Sequence, residues 1–94
     1  MSERNQLRYL ARARADLVKI IQYGQGEQWP DPVAYVLTLR ERMVVLAMHR
    51  DSGRAGRIEG TREWVLAGTP YIVVYRLSGS VIEVLRILHG SQIK

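Results

Sequence analysis

The stretch Tyr71-Ile72-Val73-Val74-Tyr75-Arg76-Leu77-Ser78-Gly79-Ser80-Val81-Ile82-Glu83-Val84-Leu85-Arg86-Ile87-Leu88-His89 decides the fold. Valine, isoleucine, leucine and tyrosine dominate both halves, and Ser78-Gly79 separates them. This reads as two strands joined by a tight hairpin. In the second strand Ile82, Val84, Arg86 and Leu88 alternate with Val81, Glu83, Leu85, Ile87 and His89. Both sets are mostly apolar, which predicts a central strand. Thr61 to Leu66 has the same composition and is set off by Gly68-Thr69-Pro70, adding a third strand.

The period changes on the N-terminal side. Leu10, Ala13, Leu17, Ile20 and Ile21 fall on one face of a helix, with Arg12, Arg14, Asp16 and Lys19 pointing elsewhere and Gly24 as the stop. Asp31-Pro32 reads as a second helix start, an N-cap carboxylate followed by proline at the first helical position. From there Val36, Leu39, Met43 and Leu46 form a stripe that Leu37, Val44, Val45 and Met48 widen. That pattern predicts a helix ending near His49 to Asp51 with most of its circumference buried. Two antiparallel helices joined by a short loop are the simplest arrangement. Ser52 to Gly60, with three glycines and two arginines, reads as a mobile connection, because it lacks the lysine and following helix of a phosphate-binding loop. The whole is an α+β domain, a helical hairpin packed on a small antiparallel sheet.

Composition narrows the function classes. A chain of 94 residues is expected to form one domain. No apolar run approaches the ~20 residues of a membrane span. Residues 1–6 lack the apolar core of a signal peptide. With no cysteine and only His49 and His89, neither a disulfide framework nor a structural metal site is expected, and no cofactor is implied. These points favour a cytoplasmic protein. The net charge is +5, and only Lys19 and Lys94 among the 14 basic residues are lysines, so 12 are arginines. Planar guanidinium forks match phosphate or carboxylate and suit a nucleic acid or an acidic protein. A domain this small buries only about 60–65% of its chain surface, so a partner covering the rest would stabilise it.

Several side chains are candidates for chemistry. Arg62, Arg76 and Arg86 lie on predicted strands. They either cluster on one sheet face to hold phosphate or form ion pairs, with Glu63 and Glu83 as the obvious carboxylates. His89 at a strand end is either a general base or a packed ring. Trp29, Trp64, Tyr71 and Tyr75 either stack on bases or fill the core. No Ser/His/Asp set or carboxylate pair is placed for hydrolysis.

Three blocks, Gly56-Arg57-Ile58-Glu59-Gly60-Thr61-Arg62-Glu63, Pro70-Tyr71-Ile72-Val73-Val74-Tyr75-Arg76 and Ile87-Leu88-His89-Gly90, together resemble the RelE/ParE toxin superfamily of bacterial type II toxin–antitoxin systems. Ala15-Asp16-Leu17 and Ile20-Ile21-Gln22-Tyr23 are similar to its first helix. The resemblance covers almost the whole chain and is closest to the ParE, or plasmid stabilisation, branch. It implies a single domain over residues 1–94, and it assigns Gln6 to Leu10 to an N-terminal strand. It implies a toxin that arrests growth when free and is neutralised in a toxin–antitoxin hetero-oligomer. An acidic antitoxin tail that folds on binding would suit a basic, partly apolar surface.

Two mechanisms divide this superfamily. RelE-like members cut messenger RNA on the ribosome, and ParE-like members poison DNA gyrase. The resemblance puts Arg62, Arg76 and His89 forward as the catalytic set of a ribonuclease, or Arg62, Arg76 and Arg86 as target- or phosphate-binding groups of a gyrase poison. The segment Gly90-Ser91-Gln92-Ile93-Lys94 offers no C-terminal tyrosine or second histidine, and no lysine precedes Arg62 in its segment. Cleavage needs both a base and an acid, so gyrase is the expected target, with ribosomal message as the alternative. For the antitoxin, the expected contacts are exposed parts of Tyr35, Leu39 and Met43 with Arg40 and Arg57. A third reading is an inactive member retained as an antitoxin-binding module.

Overall fold

The computed structural model describes residues 5–92, so Ile93 and Lys94 of the tail and the first four residues of the N-terminal segment read above lie outside the described part. The order is β1 (Gln6–Tyr9), α1 (Ala11–Gly26), α2 (Pro32–Met43), α3 (Val45–Met48), β2 (Arg54–Ala55), β3 (Arg62–Val65), β4 (Tyr71–Ser78) and β5 (Val81–His89), followed by a 3₁₀ turn (Gly90–Gln92). One five-stranded sheet has the order β1-β5-β4-β3-β2, with α1 and α2 packed on one face.

The α+β architecture is as expected, and β1 occupies the strand position that the resemblance implied. One feature of the sheet differs: it is mixed, because β1 pairs parallel to β5, from Gln6 opposite Val81 to Tyr9 opposite Val84. The helices form the crossover that a parallel pair needs, whereas β2 to β5 meander antiparallel through short turns. β5 is central, as its two apolar sets predicted. At the β4–β5 turn, Gly79 supplies the left-handed φ of +59°.

The core lies between the helices and the sheet. Ala13, Leu17 and Ile20 of α1 and Val36, Leu39 and Met43 of α2 meet Val73 and Tyr75 of β4 and Ile82, Val84 and Ile87 of β5. Asp31 caps α2 by accepting the Ala34 N–H at 3.0 Å, with Pro32 inside the first turn. The second helix does not bury most of its circumference. It breaks at Val44, and Leu37, Val44, Val45 and Met48 are 43–64% exposed. Only the stripe through Val36, Leu39 and Met43 is buried, and among the described residues no second layer covers the other side. Gly24 does not stop α1, which continues to Gly26. Its role is contact: a Cβ there would come within 2.4 Å of the Trp29 ring.

The glycine-rich segment is a closed turn rather than an open connection. β2 pairs with β3, and the Gly56 N–H donates to the Thr61 carbonyl at 2.8 Å. The Thr61 hydroxyl donates to the Ile58 carbonyl, and Gly60 takes the φ of +85° that the turn requires. Before it, the fully buried Tyr75 holds the Arg50–Gly53 segment. Its hydroxyl donates to the Arg50 carbonyl at 2.8 Å and accepts the Gly53 N–H at 2.9 Å. Burial raises the Tyr75 phenol above its ordinary 10.0.

A raised phenol contributes stability that is present below pH 10 and lost as pH rises through the folded value, because the unfolded chain ionises first. Urea unfolding should therefore show falling stability above about pH 10. Tyr75→Phe should cost about 1–3 kcal/mol at neutral pH, since it takes the hydroxyl partner from the buried Gly53 N–H and the part-buried Arg50 carbonyl, and should lessen the alkaline loss. Matching unfolding midpoints for the two chains at neutral pH would contradict this role.

Candidate functional site

β1 is short, and that leaves β5 with an open edge. The β1 ladder closes where the Leu10 N–H donates to the Val84 carbonyl, so among the described residues Leu85 to His89 have no strand on that side. Side chains take its place. The Ile87 N–H donates to Asp16 Oδ2 at 2.9 Å, and the His89 N–H donates to Gln92 Oε1 at 2.7 Å. The Ile87 N–H is buried and would be costly unpaired, so Asp16 removes that cost, whereas the His89 bond to Gln92 lies at the surface.

Asp16 does not point away from the core as its polarity suggested; it is 7% exposed. Its buried charge is matched by Arg86, whose Nε donates to Oδ2 at 2.8 Å and whose Nη2 donates to Oδ1 at 3.0 Å. A β-bulge allows this reach. The β4–β5 register shifts between Val74 and Tyr75, so that Arg86 lies opposite Val74 while Val84 lies opposite Tyr75. The extra residue, Leu85, re-aims the strand there. The Asp16 hydrogen bond also holds the Arg86 guanidinium above its ordinary pKa. Of the two readings for Arg86, the ion pair is observed, with a helix carboxylate rather than Glu63 or Glu83.

Beside this pair a cleft of about 690 Å³ opens between α1, the start of α2 and the ends of β4 and β5. Four rings line it in sequence, with centroids 5.8 Å apart for Tyr23 and Trp29, 5.0 Å for Trp29 and Tyr35, and 6.3 Å for Tyr35 and Tyr71. The His89 ring stands perpendicular to Tyr71 at 5.7 Å. His89 Nδ1 accepts the Ser91 N–H at 3.1 Å and lies 2.8 Å from the Ser91 hydroxyl. A backbone N–H only donates, so this network assigns the proton of the neutral ring to Nε2.

The other predicted residues are dispersed. Arg62 donates to the Gly53 carbonyl at 2.7 Å and lies 3.6 Å from Asp51. Arg76 is half exposed and pairs with Glu83 across the hairpin at 2.6 Å. Arg62 lies opposite Tyr75, and His89 lies opposite Tyr71, four residues away along β4. That is about 13 Å of strand, and Arg76 is one residue further and on the opposite sheet face. Arg62, Arg76 and His89 are therefore not brought together, and neither are Arg62, Arg76 and Arg86. Leu39 and Met43 are fully buried and offer no exposed part to a partner. Tyr35 is half buried in the cleft wall, Arg40 lies 5.1 Å over the Tyr9 ring, and the Arg57 N–H donates to Glu63 Oε2 in the β2–β3 turn. The buried Glu63 also meets Arg54 at 3.6 Å. Sequence reasoning missed Asp16 and Lys19 as site residues. The available signal was helical spacing, since Asp16, Lys19 and Tyr23 share one stripe of α1.

The same architecture occurs in solved chains of toxin–antitoxin systems. A chain of the chromosomal ParDE toxin–antitoxin system from P. aeruginosa matches with a TM-score of 0.79 at 24% identity, over 94% of this chain and 98% of that one. A chain of the RelBE2 toxin–antitoxin complex from Mycobacterium tuberculosis matches with a TM-score of 0.70 at 23% identity, over 95% and 94%. The fold is that of the RelE/ParE toxin superfamily. In sequence, residues 7–94 match the family model of the ParE toxin of the type II toxin–antitoxin system, parDE. The protein Y4kP of Sinorhizobium fredii is 40% identical over 90 residues, 95% of this chain and 92% of that one. The chain belongs to the ParE toxin family of type II toxin–antitoxin systems.

The two arginine pairs should differ in weight. Asp16→Asn removes the counter-charge of the part-buried Arg86 guanidinium and should cost about 3 kcal/mol in chemical unfolding, the low end for a broken buried pair. Arg76→Ala, at an exposed pair, should cost less than about 1 kcal/mol. Equal losses would contradict the assignment of Asp16.

Proposed function

We propose that this toxin arrests growth without cutting a substrate, by poisoning DNA gyrase as the ParE branch does, and that a cognate antitoxin holds it inactive. The observation that carries the reading is the dispersal of Arg62, Arg76 and His89. Ribonuclease chemistry needs a base and an acid around one phosphate. Here His89 in the cleft accepts the Ser91 N–H at Nδ1, so that nitrogen is already engaged and not free to act as a base. Arg62 and Arg76 are engaged in local hydrogen bonds at other places on the sheet.

The helical hairpin supports an antitoxin partner, through other residues than Leu39 and Met43. Val18, Val33 and Leu37 are about half exposed and line a groove between α1 and α2 with Arg14 and Arg40 at its sides. An amphipathic acidic segment fits such a surface, apolar face down and carboxylates toward the arginines. The solved relatives that share the fold come from toxin–antitoxin systems. No helix among the described residues is long and apolar enough to cross a membrane.

Two assays on one purified sample test the target. One follows plasmid cleavage by gyrase, and the other follows message on translating ribosomes. The expected result is linear plasmid with intact message, retained in His89→Gln. Cut message with normal gyrase, abolished by His89→Gln, would overturn the proposal and make His89 a catalytic residue.

A further inference from the structure

We infer that the outer face of the sheet, opposite the helices, is the contact between two copies of this chain, packed sheet on sheet about a two-fold axis. The sheet separates this surface from the hairpin groove, and the inference does not rest on the identity of the toxin's target.

An antiparallel sheet covered on one side alternates apolar residues inward with polar ones outward. β4 and β5 depart from that rule. Tyr71, Val73 and Tyr75 are buried against the helices, so Ile72 and Val74 take the outer face. The register sets Leu88 of β5 and Val65 of β3 on either side of Ile72, which makes an apolar row across three strands. Val81 lies on the same face, opposite Ser78. Val65 is half exposed, and Ile72, Val74, Val81 and Leu88 are part exposed. Among the described residues no helix packs on this face. β5 is thus apolar on both faces, the pattern that predicts a central strand, and is covered on only one.

Charge decides what covers the other. The chain carries +5, so two copies repel one another unless their contact is close to neutral. The outer face sets Arg8, Arg54 and Arg76 against Glu63 and Glu83, one net positive charge. Most of that charge is paired within the face, Arg76 with Glu83 at 2.6 Å and Arg54 with Glu63 at 3.6 Å. The row Val65–Ile72–Leu88 carries none. The hairpin groove is different, because Arg14 and Arg40 line it without an acid, and copy on copy would bring four guanidinium groups together. An acidic segment therefore suits the groove, and an equally apolar, nearly neutral surface suits the sheet. A two-fold axis near Ile72 sets the row against its own counterpart, the self-complementarity that an isologous contact requires. Two sheets pack in this way about 10 Å apart, with strands within about 30° of each other.

At ~4.8 Å per strand and ~3.3 Å per residue, the strands present roughly 400 Å² per copy. That is about half of the ~800 Å² per partner in a standard interface, so the dimer is weak, with a dissociation constant on the order of 0.1 mM. Analytical ultracentrifugation of the full chain from about 1 µM to about 1 mM brackets that constant. A reversible monomer–dimer equilibrium is expected, with nothing larger. Val65→Lys adds a charge to each copy's apolar row and should weaken the dimer at least about tenfold. Ile72→Thr keeps the β-branched shape but puts a hydroxyl in the row, and should weaken it severalfold. Leu37→Lys, in the hairpin groove, should leave dimerisation unchanged. Val65 and Leu37 are each about half exposed, and unfolding midpoints at low concentration check that the variants fold. A monomer over the whole range, a dimer indifferent to Val65→Lys and Ile72→Thr, a dimer lost on Leu37→Lys, or open-ended association would each overturn the proposal.

Discussion

The carboxylate of Asp16 closes an edge that the sheet would otherwise leave open. β1 has four residues and β5 has nine, so the parallel ladder ends halfway along β5. The chain cannot lengthen β1, because α1 begins at Ala11 and must turn over the sheet. Asp16 therefore accepts the Ile87 N–H from one and a half turns into the helix. A bare carboxylate in that position would be strongly disfavoured, and Arg86 supplies the opposite charge through two parallel hydrogen bonds. One interaction thus sets the height and rotation of α1 on the sheet. The β-bulge near Leu85 lets Arg86 make this pair, and the cleft lies beside it.

The arginines acquire distinct meanings once their acceptors are known. Arg86 is a structural partner with one nitrogen to spare. Arg62 and Asp51, with the Tyr75 hydroxyl nearby, hold the Arg50–Gly53 segment to β3. Arg76 belongs to an exposed cross-strand pair. Lys19 is exposed and makes no ion pair among the described residues. A composition rich in arginine therefore does not amount to one large anion-binding patch. It provides several local ties, with available charge concentrated along α1 and beside the hairpin groove.

Much of the fold was legible because its signals are local. The β4–β5 hairpin, the Asp31-Pro32 helix start and the α1 stripe through Ala13, Leu17 and Ile20 each depend on neighbours in sequence. The features that were misread depend on distant ones. Asp16 and Arg86 are 70 positions apart, and no periodicity announces that a polar residue on a helix flank will cap a strand edge. Leu37 and Met48 belonged to an apolar pattern, but pattern does not reveal how many sides of a helix are covered. Gly24 read as a stop because glycine often ends helices, whereas here it makes room for Trp29. Of the site, His89 and the aromatic residues were visible as candidates. Their assembly with Lys19 into one cleft required the tertiary structure, as did the separation of Arg62 and Arg76 from His89.

The most direct test of this account is a double-mutant cycle on Asp16→Ala and Arg86→Ala, read by equilibrium unfolding. Residues in one buried pair should couple, and the predicted interaction is above about 1.5 kcal/mol, with the double variant more stable than the sum of the single losses implies. Losses that simply add, with coupling near zero, would contradict the claim that this pair joins α1 to β5 and shapes the cleft beside it.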